Sequence, residues 1–149
     1  MKKGKNNSRF FSLFHPGTLS RVLANLLRSR HSNIHVDLQL GPDNIFQRVF
    51  ICPNRSRQSF TSMRKFLAVD GTFLKSRFVQ PLLFAVGIDG NGKNLPRLAW
   101  AIVESENKES WIWFIKHLNA AIPEVIGMTL ISDRDKGLLA AEQEIVLMV

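Results

Sequence analysis

Two aspartates in this chain stand where carboxylates can do metal chemistry. Asp70 lies within the apolar run FLAVDGTF, and Asp133 follows the apolar run GMTLIS in TLISDRDKG. Carboxylate oxygens are the preferred ligands of hard divalent cations such as Mg²⁺ and Mn²⁺. Two such ions held about 3.5–4 Å apart can activate an attacking oxygen and stabilise a leaving one, which is the chemistry of phosphodiester cleavage or transfer. In that scheme Asp70 bridges both ions and Asp133 binds one. Each residue also has a structural reading. Asp-Gly is a common hairpin pair, and Asp133 or Asp135 can cap a helix that starts near Lys136.

The pair does chemistry only if the fold brings it together, so the intervening elements matter. FLAVDGTF reads as a largely buried strand. PLLFAVGI reads as a second, with Pro81 tolerable at its first position. Asp89-Gly90-Asn91-Gly92 signals a tight turn before LPRLAWAIV, a third strand. From about Asn107 the period changes to helical, with Trp111, Phe114, Ile115, Leu118 and Ile122 on one face and Pro123 ending the run. GMTLIS is a fourth strand, and the residues from Lys136 onward read as helix. Three antiparallel strands, a crossover helix and a fourth strand parallel to the first describe the front of a ribonuclease-H-like α/β fold, because such crossovers are right-handed. That fold has a fifth strand and further helices, so the chain reads as C-terminally truncated.

Upstream, Ile34, Val36, Leu38 and Leu40 alternate with polar residues, and Gly-Pro-Asp-Asn separates them from IFQRVFI, which predicts a hairpin over residues 34–52. Residues 55–65 predict a short basic helix or loop. Leu19, Val22, Leu23, Leu26 and Leu27 predict a basic amphipathic helix over residues 18–30. The expected division is a basic extension (1–33), a hairpin and basic lead-in (34–65), and a partial catalytic domain (66–149).

Charge follows the same division. Residues 1–65 carry 12 Lys and Arg against Asp37 and Asp43, a net of +10; residues 66–149 carry 8 against 10 acids, a net of −2. A basic lead segment suits a polyanion, with DNA the first candidate. Cys52 is the sole cysteine, which excludes an internal disulfide and a Cys-rich zinc site, and the four histidines show no paired ligand spacing. No apolar run approaches the roughly 20 residues of a membrane helix, and FFSLF is too short for a signal-peptide core. The expectation is a soluble intracellular protein with no membrane and no small-molecule substrate.

Residues from about 45 to 145 also carry a resemblance. The Asp-Gly-Thr after an apolar strand, PLLFAVGID, ESENKESW leading into an aromatic helix, and Ser-Asp-Arg-x-Lys-Gly together resemble the catalytic domain of Mutator-like element (MULE) transposases. The resemblance implies a ribonuclease-H-like fold and an Asp-Asp-Glu site that uses Mg²⁺ or Mn²⁺ to cut and rejoin DNA. It also implies a nuclear location, with self-association possible. Asp70 and Asp133 match the first two acidic residues. The family's Cys/His motif and third carboxylate lie further downstream than the sixteen residues that follow Asp133, and Glu142 and Glu144 do not match that third position. The expected function is therefore that of a truncated MULE-type DDE transposase fragment, inactive on its own, with its standing as an enzyme left open; a domesticated DNA-binding or regulatory protein derived from a transposase is the alternative. Glu106 matches an acidic position before the aromatic helix and is an auxiliary candidate; Glu106 or Asn107 can equally cap that helix. Lys75, Arg77 and Arg134 are candidates for DNA phosphate contacts.

Overall fold

A computed structural model of the 149-residue chain describes residues 24–25, 34–60, 62–74, 80–92, 98–123, 128–133 and 136–146. It is a mixed α/β structure built on one six-stranded sheet, in the order β1-β2-β5-β4-β3-β6. The strands are β1 (Ile34–Leu40), β2 (Phe46–Pro53), β3 (Met63–Phe73), β4 (Pro81–Asp89), β5 (Ala99–Ile102) and β6 (Thr129–Ile131). The helices are α1 (Asn54–Phe60), α2 (Lys108–Ala121) and α3 (Lys136–Val146).

The hairpin forms as expected. Asp43 and Asn44 take left-handed φ values of 57° and 58° in a short 3₁₀ turn, a conformation these two residue types tolerate better than most. Less expected is where the hairpin goes. β2 pairs antiparallel with β5, through Val49↔Ile102, Phe50↔Ala101 and Ile51↔Trp100, so β1 and β2 extend the same sheet that carries Asp70. Strand periodicity identifies strands but not their neighbours, which are decided by the shapes of faces distant in sequence.

The second half follows the expected path. β3, β4 and β5 form an antiparallel meander, and β6 lies parallel to β3 on its other side. β3 begins at Met63, three residues earlier than the apolar run suggests, with a register shift between Met63 and Leu67. The turn after β4 closes with the Gly92 amide donating to the Asp89 carbonyl at 3.0 Å; Gly92 has φ +79°, which favours a residue without a Cβ. Of the basic helix predicted over residues 18–30, only Ala24 and Asn25 are described, and both are helical. The rest of that expectation lies outside the described residues.

One face of the sheet is packed under α2. Leu67 and Val69 of β3, Leu83 and Ala85 of β4, Ala99 and Ala101 of β5, and Phe50 and Cys52 of β2 are buried with Trp111, Phe114, Ile115 and Leu118. The helical face read from the sequence is the buried one, and Ile122 completes it just past the last turn. Among the described residues no helix is long and apolar enough to cross a membrane.

Cys52 is fully buried in this core. Burial pushes its thiol up to about 11, and the nearby Arg57 charge offsets only part of that. Roughly one thiol in a thousand is then ionised at pH 8, and the thiolate is the reactive form. The native chain should resist iodoacetamide at pH 8 and be alkylated fully in guanidinium chloride, with mass spectrometry reading both states.

Candidate functional site

Asp70 is the eighth residue of β3, half-buried, with Phe84 of β4 as its cross-strand partner. Its Oδ1 accepts the Gly71 amide at 2.8 Å. It does not sit in a hairpin turn: β3 continues three residues past it to Phe73. Asp133 follows β6 and is exposed. The parallel register runs Phe66↔Thr129, Leu67↔Leu130 and Ala68↔Ile131. Continued two residues further, it sets Asp133 level with Asp70 on the adjacent strand line. Both therefore lie toward the carboxyl ends of the parallel pair, the end at which ligands bind in open α/β sheets.

The turn from β5 into α2 is held at several points. Asn107, not Glu106, caps α2: its Oδ1 accepts the Ser110 amide at 2.9 Å, and its Nδ2 donates to Ser105 Oγ at 2.6 Å. Glu104 is paired with Arg48, a β2 side chain that is only 6% exposed. Arg48 Nη1 also donates to the Glu109 carbonyl at 3.4 Å, and its guanidinium lies 5.4 Å from the Trp113 ring centre. Burying an arginine is tolerated when it is paired and hydrogen-bonded in this way. The clamp has no local sequence signal, because its partners are more than fifty residues apart.

With Glu104 and Asn107 so engaged, Glu106 turns to the sheet. A Cβ added at Gly71 would fall directly on the Glu106 carboxylate. Gly71 has no positive φ to explain its identity. Space explains it: the glycine of Asp70-Gly71-Thr72 leaves room for an acidic side chain beside Asp70. Carboxylate oxygens are the right donors for Mg²⁺ or Mn²⁺. Among the described residues, however, no three His, Cys, Asp or Glu side chains are grouped as metal ligands. Lys75, Arg77 and Arg134 lie outside the described residues.

Beyond Asp133, α3 packs on α2, and the Lys108 ammonium meets the Glu144 carboxylate at 2.6 Å. That hydrogen bond and the Glu144 charge raise the Lys108 pKa. Trp111 is fully buried, and Trp113 is stacked on His117 with ring centres 4.1 Å apart. These tryptophans serve packing first.

Residues 66–146, more than half of the chain, match the MULE transposase domain. The chain belongs to that family. It is also similar to Protein FAR-RED IMPAIRED RESPONSE 1 of Arabidopsis thaliana, at 25% identity over 109 residues, covering 73% of this chain and 13% of that protein. The chain thus spans a small part of the curated relative's length. No solved structure matches it significantly. The match to the MULE domain takes in β3 through α3, and so contains Asp70, Gly71, Glu106 and Asp133.

The contact between Gly71 and Glu106 makes a specific expectation for this MULE domain. Gly71→Ala should lower stability in urea denaturation by about 1–2 kcal/mol, the scale of a tight overpacking that a side chain partly relieves by moving. In a Glu106→Ala background the same change should be neutral or slightly stabilising, since alanine is otherwise favoured over glycine in a strand.

Proposed function

We propose that this MULE-family chain is a ribonuclease-H-like, transposase-derived module that binds DNA and presents Asp70 and Asp133 to a phosphodiester, with Glu106 in support. The observation that supports this reading is the parallel pairing of β3 with β6, whose register, continued two residues past its last pair Ala68↔Ile131, would set Asp133 level with Asp70. The meander of β3, β4 and β5 followed by α2 and β6 is the strand order expected for the front of that fold.

In this reading Asp70 and Asp133 hold Mg²⁺ or Mn²⁺ together with the DNA phosphate, since Mg²⁺ is commonly bound by one or two carboxylates plus substrate oxygens. When bound, the ion supplies Lewis-acid polarisation of the phosphoryl oxygens and acidifies an attacking water. Gly71 donates its amide to Asp70 and so limits the rotation of that carboxylate. Glu106 adds negative charge beside β3, and Asn107 holds the turn that carries it. Lys75, Arg77 and Arg134 supply sequence-independent phosphate contacts, and the net charge of +10 on residues 1–65 supplies affinity. The three-part division at residues 33 and 65 assigns that affinity to the lead segments and the chemistry to residues 66–149. A nuclear location and self-association on DNA follow from the same reading.

A second reading is a regulatory DNA-binding protein, in which Asp70 is dispensable. The similarity to a protein named for an impaired far-red response favours it.

Supercoiled DNA separates the two. The full chain with Mn²⁺ should nick it, and Asp70→Asn should lower the rate about 100-fold or more, the scale on which losing a group that stabilises transition-state charge is felt. DNA affinity should be nearly unchanged and should fall steeply with salt in both proteins. Salt-sensitive binding with no nicking by either protein overturns the catalytic reading and leaves the regulatory one.

A further inference from the structure

The sheet has two faces, and α2 covers one of them. On the other, the pairing registers align side chains into rows, because directly paired residues on neighbouring strands point to the same side. Val36 pairs with Ile51, Ile51 with Trp100, Trp100 with Phe84, and Phe84 with Asp70. One row thus crosses β1, β2, β5, β4 and β3, with Asp70 at its β3 end. A second row beside it includes Val49, Ile102 and Leu82. The residues that alternate with these along each strand, among them Phe50, Ala101, Ala85 and Val69, are the ones buried under α2.

Val36 and Leu82 are buried, whereas Ile51, Trp100, Phe84 and Asp70 are half-buried. α3 packs on α2, and Phe60 of α1 enters the core on the α2 side, so no described helix lies over this stretch. Trp100 differs from the other two tryptophans. Trp111 has Phe114 as a ring partner, and Trp113 has His117 and Phe50. Trp100 has no ring partner among the described residues.

Strand lines lie about 4.8 Å apart, so Trp100 stands roughly 10 Å from Asp70 along the row, with Phe84 between them. A nucleotide whose phosphate lay at Asp70 would carry a neighbouring base over Phe84 and onto Trp100. A duplex is a poor match for this row, which holds no cationic side chain for its backbone and whose rings cannot reach the faces of paired, stacked bases. An unpaired base has a free π-face, and its stacking on an aromatic side chain tolerates any sequence. Sheets that present aromatic residues on one face bind single strands in this manner. The net charge of +10 on residues 1–65 supplies the attraction for a polyanion that the row itself lacks.

We propose that the row from Trp100 across Phe84 to Asp70 is a track for single-stranded DNA, in which an unpaired base stacks on Trp100 while the backbone leads to the phosphate at Asp70. The proposal rests on the reading of Asp70 as a phosphodiester site, and it names the substrate of that site as DNA unpaired beside the cut.

Binding is measured without metal, so that it does not depend on cleavage. An oligothymidylate of about ten nucleotides, within the site sizes of single-strand binders, should quench the tryptophan emission of the full chain saturably. A duplex of the same length should bind more weakly, and so should an oligomer of abasic nucleotides, which keeps the phosphates and lacks the bases. Trp100→Ala should weaken binding of the single strand about tenfold, the scale of one stacked base, and Trp100→Phe should keep most of the affinity. Asp70→Asn should leave the quenching in place. Stacking without nicking by the native chain therefore overturns the catalytic reading alone, and nicking without stacking overturns the track alone. If Trp100→Ala does not fold, the comparison of oligothymidylate with its abasic counterpart on the native chain carries the test. Equal affinity for those two, tighter binding of duplex, or unchanged affinity in folded Trp100→Ala overturns the proposal. So does a Trp100 emission, read as the difference between the native chain and Trp100→Phe, that acrylamide fails to quench, because polypeptide then covers the row.

Discussion

Burial of one face of α2 is the constraint on which the rest of the structure depends. Trp111, Phe114, Ile115 and Leu118 are fully buried against the sheet. At ~1.5–3 kcal/mol for each large apolar side chain removed from water, that face contributes on the scale of a small domain's whole net stability. The chain leaves α2 and returns to the sheet as β6, only three residues long and mostly exposed. So short a strand cannot hold itself in place. The seating of α2, together with the packing of α3 upon it, delivers β6 to the free side of β3. The level of Asp133 relative to Asp70 is in that sense a consequence of the hydrophobic stripe that runs from Trp111 to Ile122.

The same burial sorts the polar residues of the β5–α2 turn. Glu104 lies within reach of a buried arginine that would be costly to leave unpaired, and it is committed to Arg48. Asn107 occupies the one backbone position where a side-chain oxygen can satisfy an orphan amide of the first helical turn. Glu109 sits in the first turn, where the helix dipole favours an acid, and lends its carbonyl to Arg48. Glu106 is the acid of this turn whose carboxylate reaches β3. Spacing alone assigns these roles poorly, since all four residues are small variations on one polar cluster.

What could be read from the sequence follows from how local each cause is. The α2 stripe, the Gly-Pro-Asp-Asn turn and the strand alternation of residues 34–40 are short-range patterns, and each is found where expected. The parallel return of β6 was legible because handedness leaves few other paths. The pairing of β2 with β5 was not, since nothing in either strand names its partner. The choice of Asn107 over Glu106 as the cap was open in the sequence and is decided by which residue holds extended φ/ψ before the first turn. The reason for Gly71 was hidden for a different cause. Asp-Gly reads as a turn by default, and only the packing of Glu106 shows that the missing Cβ is a matter of room. The approach of His117 Nε2 to Asp37 Oδ2, at 4.0 Å, was equally hidden, because the two lie on α2 and β1 and meet only through the hairpin's placement in the sheet.

That placement also joins two regions that would otherwise be separate. Gln39 on β1 bonds Gln47 on β2, Gln47 bonds Glu104, and Glu104 pairs with Arg48, which reaches the Glu109 carbonyl and the Trp113 ring. This polar chain starts on β1 and ends in the turn that sets Glu106 against Gly71. Each member's orientation depends on the next, because a carboxylate at one end fixes which amide atoms can donate along the whole series. The hairpin is therefore more than an added pair of strands. By bringing Arg48 under α2 and Gln47 beside Glu104, it fixes the approach of the turn to β3, so the acidic corner near Asp70 is built partly from residues that precede the MULE-matching segment.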